Sequence, residues 1–251
     1  MYRGYNLTYH SFNQKDYEKG FELYSSQKNR IKKRLVSFIT DDNSIDGLKM
    51  QANWFPQINA DVFISHSHRD ENIAISLAGW LSRRFEITSF IDSCIWGYAG
   101  DLLEMIDNEY CLEDKKNRIY DYNKCNYSAA HVHMMLSTAL TKMIDKTECL
   151  FFLNTPNSIT PAEVINNTES PWIYAEIAMT QLIRVKTPDQ HRRRLVTALY
   201  SENMQKAKSL KIKYGVDLNH LRVLDEKILL KWNKALCIGN EDSLNALYNL
   251  T

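Results

Sequence analysis

Asp61-Val62-Phe63-Ile64-Ser65-His66-Ser67-His68-Arg69-Asp70 is the stretch on which the reading of this chain turns. Its apolar, β-branched centre is flanked by polar residues and followed at once by helix-type spacing, the pattern of a buried parallel strand feeding a crossover helix. In open parallel α/β sheets, ligands bind outside the carboxyl ends of the strands, where the strand order reverses. Ser65, His66 and Ser67 stand at that end and offer hydroxyl, imidazole and backbone N–H groups suited to phosphate or sugar oxygens. The plainer alternative is that Ser65 and Asp70 shape the turn and cap the helix.

Downstream, Ile73, Leu77, Leu81 and Phe85 recur every four residues, so a helix with a broad buried face is expected. Ile87 to Asp92 reads as a second strand, with Asp92 and Ser93 at its carboxyl end. Cys94 to Gly100 then combines two glycines with Trp96 and Tyr98, as a mobile loop able to lay a ring on a planar ligand or a partner would. A short helix is expected over Asp101 to Tyr110, with Asp101 as its cap, followed by a polar, aperiodic insertion from Cys111 to Tyr127. The next helix has Val132, Met135, Leu136, Ala139, Leu140 and Met143 inside, with His131 and His133 near its start. Cys149 to Leu153 is continuously apolar, a third buried strand ending in Asn154, Thr155, Pro156 and Asn157. Ser158 to Thr168 reads as loop. Ser170 and Pro171 predict the cap and first turn of a helix from Trp172 to Ile183, which carries Glu176.

Around this centre lie two weaker regions. Residues 1–60 are expected to be a helical extension, with an amphipathic helix over Asp16 to Phe38 and a shorter one over Ser44 to Trp54. These would pack on the main domain or form a partner surface. Residues 61–251 make the α/β domain, with its centre in 61–185 and an elaboration in 186–251. In the latter, Arg194 to Tyr200 and Leu210 to Leu218 have strand character, and Asp225 to Leu236 and Glu241 to Leu250 have helical spacing.

The chain has 251 residues, with 31 Lys plus Arg against 30 Asp plus Glu, so overall charge gives no drive to bind nucleic acid. No segment reaches the ~18–20 apolar residues of a membrane span, and Met1 to Phe12 lacks signal-peptide features, so a soluble cytoplasmic protein without membrane or nucleic-acid partners is expected. Five widely spaced cysteines without a C-x-x-C pair fit reduced thiols. Cys111, Cys125, His131 and His133 are zinc-ligand residue types, but their spacing matches no standard site, and no metal is assigned.

The order of strand, helix, strand, aromatic-glycine loop, helix, strand, and a helix beginning Ser-Pro-Trp-x-x-x-Glu resembles a bacterial Toll/interleukin-1 receptor (TIR) domain. The likeness rests on Asp61 to His66, on Phe90 to Gly97, and on Ser170, Trp172 and Glu176, and it covers roughly residues 60–185. Ile173 stands where the family usually has cysteine. The resemblance implies a flavodoxin-like parallel sheet with helices on both faces. It also implies cleavage of NAD at the nicotinamide–ribose bond, with Glu176 as the catalytic residue, NAD as substrate and no further cofactor. Compact bacterial members resemble the signal-making subunit of Thoeris-type anti-phage systems. That implies a cyclic ADP-ribose-type product, assembly into homo-oligomers on activation, and a separate effector protein that responds to the product.

The chemistry is consistent with a single carboxylate. Nicotinamide is bonded to ribose as a cationic pyridinium and leaves neutral, so no general acid is required, in contrast to ordinary glycoside hydrolysis. What remains is to stabilise positive charge growing on the sugar, which an ionised Glu176 in a partly dehydrated crevice would do. Ser65 and His66 are expected on phosphate or ribose oxygens, Ser93 at the crevice edge, Trp96 or Tyr98 on an aromatic ring, Asn154 shaping the site, and Trp172 beside Glu176. Two other readings remain open: a non-catalytic TIR interaction module, and a relative of nucleoside deoxyribosyltransferases, which also use one glutamate at a sugar carbon.

Overall fold

The apolar run Cys149–Leu153 is buried at all five positions, and it forms the middle strand of a five-stranded parallel sheet. A computed structural model describes residues 1–8, 11–25, 35–40, 44–96, 99–159, 167–168, 170–192, 214–235 and 237–251. In chain order the elements are β1 (Arg3–Leu7), α1 (Gln14–Ser25), α2 (Gly47–Trp54), β2 (Val62–Ser65), α3 (Glu71–Phe85), β3 (Ser89–Phe90), α4 (Asp92–Ile95), α5 (Ala99–Tyr110), β4 (Leu112–Asp114), β5 (Ile119–Tyr120), α6 (Tyr122–Lys146), β6 (Cys149–Leu153), β7 (Asn167–Thr168), α7 (Pro171–Leu182), α8 (Pro188–Arg192), β8 (Tyr214–Gly215), β9 (Arg222–Leu224), α9 (Glu226–Lys234) and α10 (Gly239–Leu250).

The sheet order is β3-β2-β6-β1-β9, and every neighbouring pair is parallel. From β2 the chain goes outward to β3, then returns across β2 to β6. The order therefore reverses beside β2, and the carboxyl ends of β2 and β6 are the position at which such sheets bind ligands. Helices flank the sheet in two groups that touch within themselves: α1, α3, α9 and α10, and α2, α5, α6 and α7. Among the described residues no helix is long and apolar enough to cross a membrane.

The first strand departs from the sequence reading, which placed residues 1–60 in a helical extension. Arg3–Leu7 pairs with β6 on one side and β9 on the other, with Tyr5 and Leu7 fully buried. The amphipathic helix that follows it is also integral. A Cβ on Gly20 would stand 1.9 Å from the Ile75 carbonyl oxygen, and one on Gly79 would stand 1.9 Å from that of Asp16. Only glycines permit α1 and α3 to meet backbone to backbone in this way. Arg83 locks the crossing by donating to the buried Asp16 carboxylate from Nε at 3.0 Å.

Several boundaries also move. Of the expected helix from Asp16 to Phe38, the part up to Ser25 is helical and Leu35–Phe38 is a 3-10 turn, while residues 26–34 lie outside the described residues. The second strand is only Ser89–Phe90, because Asp92 already begins α4. α5 starts at Ala99, so Asp101 lies in its first turn instead of capping it. The insertion contains the β4–β5 hairpin, and α6 begins at Tyr122, capped by Asp121, which leaves His131 and His133 mid-helix. The strand expected over Arg194 to Tyr200 and the first part of Leu210 to Leu218 lie outside the described residues.

Candidate active site at the carboxyl end of the sheet

Ser65 is the last residue of β2 and pairs with Phe152 of β6, so its hydroxyl emerges at the point where the strand order reverses. Opposite it stands α7. Ser170 caps this helix by accepting from the Ile173 N–H at 3.3 Å, and Pro171 takes its first position. Ile173, Glu176, Ile177 and Thr180 form the buried side, at the spacing of one helical stripe. Glu176 is the only charged residue of α7 and stands on that stripe, 4% exposed. The Ser65 hydroxyl donates to Glu176 Oε2 at 2.5 Å.

His66 follows on the same strand end and is buried. Its Nδ1 lies 3.4 Å from the Ile64 carbonyl oxygen and 3.9 Å from Asp92 Oδ1, and its Nε2 lies 3.2 Å from Ser93 Oγ. A carbonyl only accepts, so Nδ1 carries the proton and Nε2 accepts from the Ser93 hydroxyl. Burial lowers the His66 pKa, which keeps the ring neutral despite the opposing pull of Asp92. Glu176 is driven the other way. Burial raises its pKa well above the ordinary carboxylate range, the negative charge of Asp92 adds to this, and the hydrogen bond from Ser65 opposes both. The free site thus holds two carboxyl groups whose environments differ, a partly exposed Asp92 and a buried Glu176 inclined to keep its proton.

Asp70 joins the loops that frame this end. It makes no capping bond to α3. Its buried carboxylate accepts from Thr155 Oγ1 at 2.5 Å and Asn157 Nδ2 at 2.7 Å, which ties the segment after β2 to the segment after β6.

No protein-family model, no curated protein and no solved structure matches this chain.

Of the site residues read from the sequence, Ser65, His66, Ser93 and Glu176 come together, and Asp92, noted there only as a strand end, joins them. Trp96 does not. It is 2% exposed, packs on Phe55 and Phe90 with ring centroids 5.6 and 5.0 Å away, and donates its indole N–H to the Pro56 carbonyl at 2.9 Å. The short helix α4 turns the chain inward at this point, so the ring serves the core and cannot stack on a ligand. Tyr98 lies outside the described residues. Trp172 is half-buried one turn before Glu176, edge-on to His133 at 5.7 Å. Asn154 is half-buried beyond β6, and its backbone N–H donates to the Leu7 carbonyl at 3.0 Å, extending the β1–β6 pairing.

The four zinc-ligand types weighed in the sequence are not gathered into one set. His131 and His133 are exposed on α6, whereas Cys111 and Cys125 converge with Asp107.

Proposed function

We propose that this protein is a TIR-type enzyme that cleaves the bond between nicotinamide and ribose in NAD, with Glu176 as its catalytic carboxylate. The observation that carries the reading is a buried glutamate that, among the described residues, pairs with no cation and is held by the Ser65 hydroxyl at the reversal point of a parallel sheet. Retaining a buried carboxyl without a cation costs stability, and functional sites are where such costs are found. A substrate that brings its own positive charge answers the cost. The pyridinium of NAD lowers the pKa of Glu176 on arrival, and the anion then faces the sugar carbon on which positive charge develops.

Ser65 holds the carboxylate in place, and neutral His66 orients the Ser93 hydroxyl toward ribose or phosphate oxygens. Nicotinamide leaves with both electrons of the glycosidic bond. Water then gives ADP-ribose, and an internal adenine nitrogen or ribose hydroxyl gives a cyclic product. We favour the cyclic product as a signal to a separate effector in anti-phage defence, with homo-oligomers as the active form.

Incubating the pure, concentrated chain with NAD and identifying products by mass spectrometry tests this. Nicotinamide released by wild type and not by Glu176→Gln supports it. Equal release by the variant removes Glu176 from the chemistry.

A second reading follows from Asp92. Two carboxyl groups in differing environments also suit sugar transfer from a neutral base, which needs protonation to leave. Deoxynucleosides assayed beside NAD separate deoxyribosyl transfer from NAD cleavage.

A further inference from the structure

We propose that Asp107, Cys111 and Cys125 bind one divalent cation of the zinc class, which clamps the neck of the β4–β5 hairpin. The backbone prepares the site. The Cys111 N–H donates to the Asp107 carbonyl at 2.9 Å, so the two residues sit one helical turn apart and present their side chains on one face at the end of α5. The chain then runs out along β4 and back along β5. The Asp121 N–H donates to the Cys111 carbonyl at 2.8 Å, which returns the chain to its point of departure. Asp121 next caps α6, accepting from the Asn123 and Lys124 N–H groups at 2.8 and 3.0 Å, and this sets Cys125 in the first turn. Residues 112–124 are thereby closed into a loop whose two ends carry thiols.

The donor atoms fit a metal. The two sulfurs and a carboxylate oxygen all lie within 4.8 Å of one another, and Cys111 Sγ is 3.3 Å from Asp107 Oδ1. Tetrahedral zinc, with sulfur at about 2.3 Å and oxygen at about 2.0–2.2 Å, has ligand-to-ligand edges of about 3.3–3.8 Å. Small side-chain rotations suffice to close the set. The Ser128 hydroxyl lies against Asp107 Oδ1 and 3.0 Å from the Cys125 carbonyl, and so holds the carboxylate in orientation. Cys111 is 1% exposed, and with Ser128 it lines a cavity of about 860 Å³ bordered by Ile106, His131 and Met135. Water from this cavity would complete a four-coordinate set around the cation. Binding replaces the two thiol protons, which are released to solvent, and leaves two thiolates and one carboxylate around the cation. A disulfide between the same sulfurs would make no use of Asp107. The convergence of three donors of two chemistries favours the cation.

Cobalt(II) titration of the full-length, reduced and chelator-treated protein tests the site. The expected result is one equivalent per chain, with a thiolate-to-cobalt charge-transfer band and the visible bands of a tetrahedral centre, displaced by zinc. Cys111→Ser and Cys125→Ser should each abolish the charge-transfer band or cut it to about half. Asp107→Asn, which removes a ligand, should weaken binding by more than the ~10–100-fold that loss of an orienting partner costs. Cys237→Ser should leave everything unchanged. Should the cysteine variants fail to fold, protection of two thiols of wild type from alkylation by stoichiometric zinc makes the same measurement. Absence of the band and of protection in wild type overturns the proposal. So does a Cys111–Cys125 disulfide in protein purified without reductant that persists alongside zinc.

Discussion

Two glutamates are buried at opposite ends of the same sheet, and their surroundings differ in kind. Glu148, just before β6 at the amino end, is 5% exposed and takes hydrogen bonds from Arg192 Nε at 3.1 Å and Nη2 at 2.9 Å, and from the Tyr248 hydroxyl at 2.7 Å. Burial, with the negative charge of Glu148, raises the Tyr248 pKa, so the phenol stays neutral and goes on donating. Glu176, at the carboxyl end, has the Ser65 hydroxyl and faces another carboxylate. A buried acid matched by a forked cation is a fastening, whereas one set against a like charge is, on the proposed function, the group that a cationic substrate would meet. Burial alone would have classed the two together. The charge that accompanies each separates them.

The largest effect expected from breaking this contrast is on turnover. Glu176→Gln keeps the shape and the bond from Ser65 but cannot ionise, and loss of a preorganised electrostatic group costs about 10²–10³-fold or more in kcat. Glu148→Gln in the same assay should leave kcat within about twofold at a temperature where the variant is folded. A comparable fall in both would erase the distinction.

Next in size is the converse experiment on stability. Arg192→Ala leaves Glu148 charged, buried and, among the described residues, with Tyr248 as its remaining side-chain partner. Breaking a buried pair in this way costs about 3–5 kcal/mol, with the lower end expected because the Arg192 side chain keeps 16% exposure. Denaturant unfolding followed by circular dichroism measures it, and a loss under about 1 kcal/mol would make the Arg192–Glu148 fork incidental.

How much of this was legible in the sequence depends on whether the signal was local. β2, β6 and α7 were, since Val62–Ile64 and Cys149–Leu153 are unbroken apolar runs and Ser170-Pro171 is a local cap. Glu176 was singled out by the likeness of Ser170, Trp172 and Glu176 to the TIR motif, whereas the buried stripe of Ile173, Ile177 and Thr180 on which it stands was not read beforehand. β1 was not. Its sequence Arg-Gly-Tyr-Asn-Leu carries polar residues, and what makes it a strand is pairing with β6, some 145 positions along the chain. Trp96 looked like a loop aromatic because its partners Phe55 and Pro56 lie just past the C-terminus of α2, which nothing near Trp96 announces. Asp70 has the composition of a cap, yet its bonds go to Thr155 and Asn157. The cationic partner of Glu148 was equally hidden, since Arg192 lies 44 residues away.

A subtler consequence is that Glu176→Gln should make the protein more stable as it becomes inactive. The pKa of Glu176 is raised in the folded state, so its favourable contribution is complete below the unfolded-state value and is lost as pH rises through the elevated one. Wild type should therefore lose stability over that interval and the glutamine variant should not. Melting temperatures compared at acidic and mildly alkaline pH should show the variant pulling ahead as pH rises, at about 2–4 °C for each kcal/mol in a chain of this size. A gap that is constant with pH would place the ionisation elsewhere.

The smallest expected effect is also the most specific to the carboxyl end. If Glu176 must be ionised to act, kcat/KM falls on the acid side of its profile, and the midpoint of that fall reports Glu176 in the free enzyme. Asp92 contributes to the raised value by its negative charge, so Asp92→Asn should move the acid limb to lower pH. Ser65 acts in the opposite sense by donating to the carboxylate, so Ser65→Ala should move the limb to higher pH. Opposite displacements from two single variants are difficult to produce by general damage to the fold, which would lower the plateau without moving the limb. If both variants lower the plateau and neither shifts the limb, the ionisation that controls catalysis belongs to another group. Displacement of the limb by Glu148→Gln would carry that control to the amino end of the sheet, where the contrast between the two glutamates predicts none.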